Sequence, residues 1–120
     1  GHGSEMARGA GVSLVIEKAK VPVFDGARKL AEDGVKTGAS GRNWDSVKHM
    51  VSGEMTEAQR DLLCDPQTSG GLLVSCAPDV AEDVLALFAR HGHAGAAIVG
   101  RVEAGAPSVQ VLCSAALAGG

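Results

Sequence analysis

The sequence predicts an α/β (α+β) fold, a mixed sheet with helices packed on it. Stretches with a period of two alternate along the chain with stretches of helical period, the order that layers helices on a sheet. The apolar residues are mainly Val, Leu, Ile and Ala, with two Phe, one Trp and no Tyr, so the core must come from aliphatic strands and helices. The 120 residues suit one domain, a size at which folding buries about two-thirds of the unfolded chain's surface.

In chain order, Ser4–Arg8 reads as the last turns of a helix. His2 and Glu5, three apart, share its face, but two ligands do not make a closed metal site. Val12–Val21 is the first strand, with Val12, Leu14 and Ile16 on one face; Pro22 ends it. Asp25 is placed as the N-cap of a short helix carrying Ala27, Leu30 and Ala31, which Gly34 closes. Val35–Asn43 reads as an irregular, flexible loop. Trp44, Val47 and Val51 fit a helix, although Trp44–Gly53 could equally be extended; Trp44 reads as a core anchor. Thr56 and Gln59 form a capping box for a helix reaching about Leu63. A buried strand is expected over Gly71–Cys76. The clearest helix follows, with Val80, Val84, Leu87 and Phe88 on one face, acids at its start, Arg90 and His91 at its end and Gly92 closing it. Ala97–Glu103 and Ser108–Cys113, joined by the turn Gly105–Pro107, are expected to pair as an antiparallel hairpin. Residues 114–120 are expected to form a frayed tail.

Bulk properties narrow the function. A net charge of −3 gives no general attraction to nucleic acid, and the scarcity of aromatics argues against base stacking. The charge is uneven: residues 8–48 carry eight Lys or Arg against five acids, and residues 49–120 carry three against eight. An anion would dock more readily on the first half. Three widely spaced Cys do not form a disulfide framework. No membrane span or targeting segment is visible, and a reduced cytoplasmic setting fits best.

The chemistry concentrates in Leu62–Leu73, read as Leu-Leu-Cys-Asp-Pro-Gln-Thr-Ser-Gly-Gly-Leu-Leu. Two apolar pairs flank a run that neither a helix nor a strand would choose. Asp65-Pro66 stops the preceding helix. Gln67, Thr68 and Ser69 offer polar groups, and Gly70 and Gly71 permit positive φ or close approach. Such a loop can cradle an anion or be a tight turn satisfying its own backbone. Arg42 and Asn43, at the end of the Gly38–Asn43 segment, could add a guanidinium fork and an amide for phosphate. These seven residues are the candidate anion or nucleotide-cleft groups; no catalytic residue or metal ligand is expected. Cys64 follows a helix C-terminus and precedes Asp65, surroundings that disfavour a thiolate.

Leu62–Leu73, with Gly1-His2-x-x-Glu5-Met6-Ala7 and Gly41-Arg42-Asn43, resembles the C-terminal domain of the selenide, water dikinase (selenophosphate synthetase) family, within the aminoimidazole ribonucleotide synthetase-like superfamily. The resemblance implies that residues 1–120 are one C-terminal domain, with 1–11 the remnant of an interdomain helix. It implies a larger enzyme that makes selenophosphate from selenide and ATP with magnesium, as a homodimer. Its catalytic Cys or selenocysteine, Lys and metal-binding aspartates belong to an N-terminal domain with no counterpart here, so this chain alone is expected to be inactive and to bind no cofactor. The alternative is a free-standing anion-binding or scaffold module without catalysis.

Overall fold

Val12–Glu17 (β1) is the strand on which the molecule is built, and it needs partners on both edges. The computed structural model describes residues 1–67 and 70–113. The first helix, α1 (His2–Ala10), ends at Gly11, whose φ of 66° is the left-handed cap that glycine supplies most easily. After β1 and a 3₁₀ turn at Lys18–Lys20 come α2 (Ala27–Glu32), α3 (Gly38–Val47), a second 3₁₀ turn and β2 (Val51–Ser52). α4 (Glu57–Leu63) leads into the Cys64–Leu73 segment. α5 (Ala81–Arg90), β3 (Gly100–Ala104) and β4 (Ser108–Leu112) complete the chain.

The four strands form one mixed sheet in the order β2-β4-β1-β3. β1 runs antiparallel to β3, pairing Leu14 with Val102, and parallel to β4, pairing Leu14 with Val109. β2 adds parallel to the outer edge of β4. The expected hairpin is therefore split. β3 and β4 do not pair with each other, because β1 lies between them. The connecting turn passes over the start of β1, where the Ser13 hydroxyl donates to the Ala106 carbonyl at 2.8 Å. A Cβ at Gly105 would come within 2.8 Å of the Ser13 hydroxyl oxygen, so the turn approaches β1 closely.

One sheet face is apolar. Leu14, Val109 and Val111 bury against Ala7 of α1, with Met6, Ile16 and Val51 around them. Val15, on the opposite face, is 1% exposed. The fold class expected from the sequence, helices on a mixed sheet, is the one observed.

Several elements differ from expectation. Gly38–Asn43 is not a loop but the first turns of α3, anchored by the burial of Ser40 and Val47; tertiary contacts outweigh the low helix propensity of its two glycines. α2 starts from Gly26, at φ 83°, and not from Asp25. β1 stops at Glu17, short of Val21. Gly71–Cys76 forms no strand: no ladder partner reaches it, and Leu72, Leu73 and Val74 remain exposed. The frayed tail expected at 114–120 lies outside the described residues. No helix among the described residues is long and apolar enough to cross a membrane.

Candidate functional site

The segment after α4 begins with an ordered helix. Gln59 N–H donates to the Thr56 hydroxyl at 3.2 Å, and Thr56 N–H donates to the Gln59 side-chain oxygen at 3.0 Å, so the capping box is closed in both directions. α4 ends at Cys64, whose N–H returns to the Arg60 carbonyl. The Cys64 carbonyl then accepts from the Asn43 side-chain amide at 2.8 Å. Asn43 thus ties α3 to the first residue of the polar segment.

At the far end, Leu73 returns towards α1. A Cβ added to Gly3 would lie 3.9 Å from a Leu73 methyl and 3.6 Å from a Leu14 methyl. The fold therefore brings three separate stretches together: the Gly3 region of α1, Asn43 of α3, and both ends of Cys64–Leu73. None of these contacts was deducible from spacing.

The candidate groups meet different fates. Arg42 is exposed on α3. Asn43 is half-buried, with its amide committed to the Cys64 carbonyl. Gln67, Gly70 and Gly71 are exposed. Thr68 and Ser69 lie outside the described residues. Gly71 does not have positive φ, and the φ of Gly70 turns on Ser69, which lies outside the described residues. Gly70 answers to proximity: a Cβ there would approach the Gln67 side-chain oxygen to 2.6 Å. Gly71 has open space around its Cβ direction.

Cys64 is buried, and burial pushes its thiol upward. Arg60 pulls it down more weakly, and Asp61 adds to the rise. A buried thiol held protonated is a poor nucleophile. Cys76 and Cys113 are exposed and free.

Two features beside the segment had no sequence signal. The Arg60 guanidinium lies 5.3 Å from the centre of the Trp44 ring, a cation–π distance. Trp44 therefore braces α3 against α4. The buried Ser40 hydroxyl and Arg60 Nε have no hydrogen-bond partner among the described residues. Nearby, Lys36 bridges Glu57 at 3.0 Å and Asp61 at 3.6 Å. The described residues contain no group of three or more His, Cys, Asp or Glu able to hold a metal ion.

Residues 1–112 match the family model described as AIR synthase related protein, C-terminal domain. The chain is 57% identical over 113 residues to a selenide, water dikinase of Pseudomonas straminea, covering 92% of this chain and 32% of that protein. A selenide, water dikinase of Burkholderia pseudomallei (strain K96243) is 46% identical over the same shares. One from Rhizobium meliloti (strain 1021) is 45% identical over 93% of this chain and 33% of its own length. The chain thus spans about a third of the length of the curated relatives it matches.

Proposed function

We propose, since the chain belongs to the AIR synthase related protein family, C-terminal domain, that it works as the C-terminal third of a selenide, water dikinase. The observation that carries this reading is the 57% identity to such a protein; the Cys64–Leu73 segment, which holds the resemblance, touches α1 near Gly3 at one end and Asn43 of α3 at the other. The whole protein would move a phosphoryl group from ATP to selenide, as a homodimer in the cytoplasm.

Phosphoryl transfer depends on positioned cations and metal ions acting on phosphate oxygens. The metal ligands would come from the other two-thirds of the protein. This chain would contribute an edge of the nucleotide cleft. Arg42 offers a guanidinium fork for a phosphate, and the exposed Gln67 amide offers a neutral donor. Asn43 would position that edge through the Cys64 carbonyl without touching substrate. Thr68 and Ser69, with Gly70 and Gly71, would complete the lining.

A chimera tests the proposal. The matching segment of the Pseudomonas straminea protein is replaced by this chain, and ATP-dependent selenophosphate formation is followed. Retained turnover is expected, with a loss of roughly tenfold in an Arg42→Ala chimera, about the worth of one charged hydrogen bond. A folded chimera without turnover would overturn the reading and leave the free-standing module.

A further inference from the structure

Glu17 is the most deeply buried acid in the described part of the chain, and nothing above uses it. Its side chain is 4% exposed. One oxygen, Oε2, pairs with Lys20 at 2.7 Å. The other, Oε1, has no hydrogen-bond partner among the described residues. A buried carboxylate oxygen without a donor is costly, so such an atom marks a place where a donor belongs.

Glu17 lines a cavity of about 160 Å³ with Lys20, Gly100 and Arg101. That is roughly five times the volume one water occupies in the liquid, room for a short-chain molecule. Two of its walls are cationic and half-exposed. Lys20 holds Glu17, and Arg101 holds Glu103 through Nε at 2.6 Å. An exposed pair like Arg101–Glu103 is worth little, so its guanidinium can exchange Glu103 for an anion. An ammonium ligand would meet two like charges here, and a plain anion would leave Oε1 without a donor.

We propose that this cavity binds a small hydroxylated anion, with a ligand hydroxyl donating to Glu17 Oε1 and the anionic group held by Arg101 and Lys20. The matching chemistry is a short polyol phosphate. Oε1 is closed to bulk water, so binding requires a side chain beside it to swing aside, and Lys20, 44% exposed, is the one with room to do so. The site rests on residues apart from the Cys64–Leu73 segment and stands independently of the dikinase reading.

Amide spectra of the 120-residue chain are titrated at slightly alkaline pH with glycerol 3-phosphate, methyl phosphate and glycerol. Saturable shifts at Val15, Gly100 and Arg101 are expected with glycerol 3-phosphate, at an affinity about tenfold above that for methyl phosphate, one charge-assisted hydrogen bond's worth. Glu17→Gln should reduce the two phosphates to equal affinity. Arg101→Met, an exposed change that spares the buried carboxylate, should abolish both. The proposal is overturned by absent saturation with glycerol 3-phosphate. It is equally overturned by equal affinities for the two phosphates in the unaltered chain, or by saturation that survives Arg101→Met.

Discussion

Leu14 and Leu72 carry the same side chain and have opposite fates. Leu14, in the central strand, is 5% exposed; Leu72, in the polar segment's apolar exit, is 83% exposed. Both stand in runs of consecutive apolar residues. Leu14 is buried because β1 has β3 and β4 on its edges and α1 on its face. Leu72 has no strand beside it. The same contrast separates α1, which buries Ala7 completely, from α5, none of whose residues is buried although Leu87 is apolar. Hydrophobicity states what a segment would gain by burial, and only a partner element delivers that gain.

The largest test of the contrast compares two truncations. Leu14→Ala should cost about 2–4 kcal/mol, the range for a leucine removed from a packed core. Leu72→Ala should stay within about 0.5 kcal/mol. Equal losses in denaturant titrations would show that Leu72 is packed in solution. Next comes the tie between the two regions. Asn43→Ala should cost about 1 kcal/mol, the net worth of one hydrogen bond, and speed amide exchange at Cys64 and Asp65. Unchanged exchange would detach α3 from the segment. Thr56→Ala, which opens the capping box, should also cost about 1 kcal/mol, read as a lower melting temperature.

Gly70→Ala should cost about 1 kcal/mol, because the added methyl meets the Gln67 Cβ at 2.9 Å as well as the side-chain oxygen, and a Cβ moves only with its backbone. Gly71→Ala should be neutral. A large loss at Gly71 would mean that the segment packs more tightly than described.

The smallest effect is a pH dependence of stability. Lys36 holds the Glu57 carboxyl below its ordinary value by hydrogen bond and charge. The stabilisation is therefore present above the unfolded carboxyl's titration and is lost as pH falls through the folded one. The Lys36 ammonium is raised, by Glu57 first and then Asp61, so its share is lost only as pH rises through its elevated value. Lys36→Met should flatten both limbs in melts taken across pH. If the acid limb keeps its slope in that variant, Glu57 does not depend on Lys36.

Features encoded within a few residues were legible in the sequence. The Thr56–Gln59 box and the closing glycines Gly34 and Gly92, both at positive φ, needed only local chemistry. β1 was legible because Val12, Leu14 and Ile16, two apart, share one face, though it stops at Glu17 and not at Val21. The first turns of α3 were hidden, since Gly38 and Gly41 carry loop signals and what buries Ser40 lies outside the helix; only its end, Trp44 and Val47, showed helical spacing. The split of β3 from β4 was hidden for the same reason: a three-residue turn looks identical whether or not another strand is inserted. At the site, the important residues were recognisable by type, but the bond from Asn43 to Cys64 joins positions 21 apart and leaves no local trace. The buried Glu17 reads in sequence as the polar end of a strand.

The insertion of β1 between β3 and β4 also sets a clock. Ser13 meets Ser108 across 95 positions, so β4 is synthesised well after the strand it covers. At about 5–20 residues per second, a ribosome exposes β1 for roughly 5 to 20 seconds before β4 exists to cover its edge. Helices such as α4 can form during that interval from local contacts, whereas the sheet must wait for long-range closure. Newly made chains therefore carry an uncovered Leu-Val-Ile strand through that interval, the period in which a chaperone has most to protect.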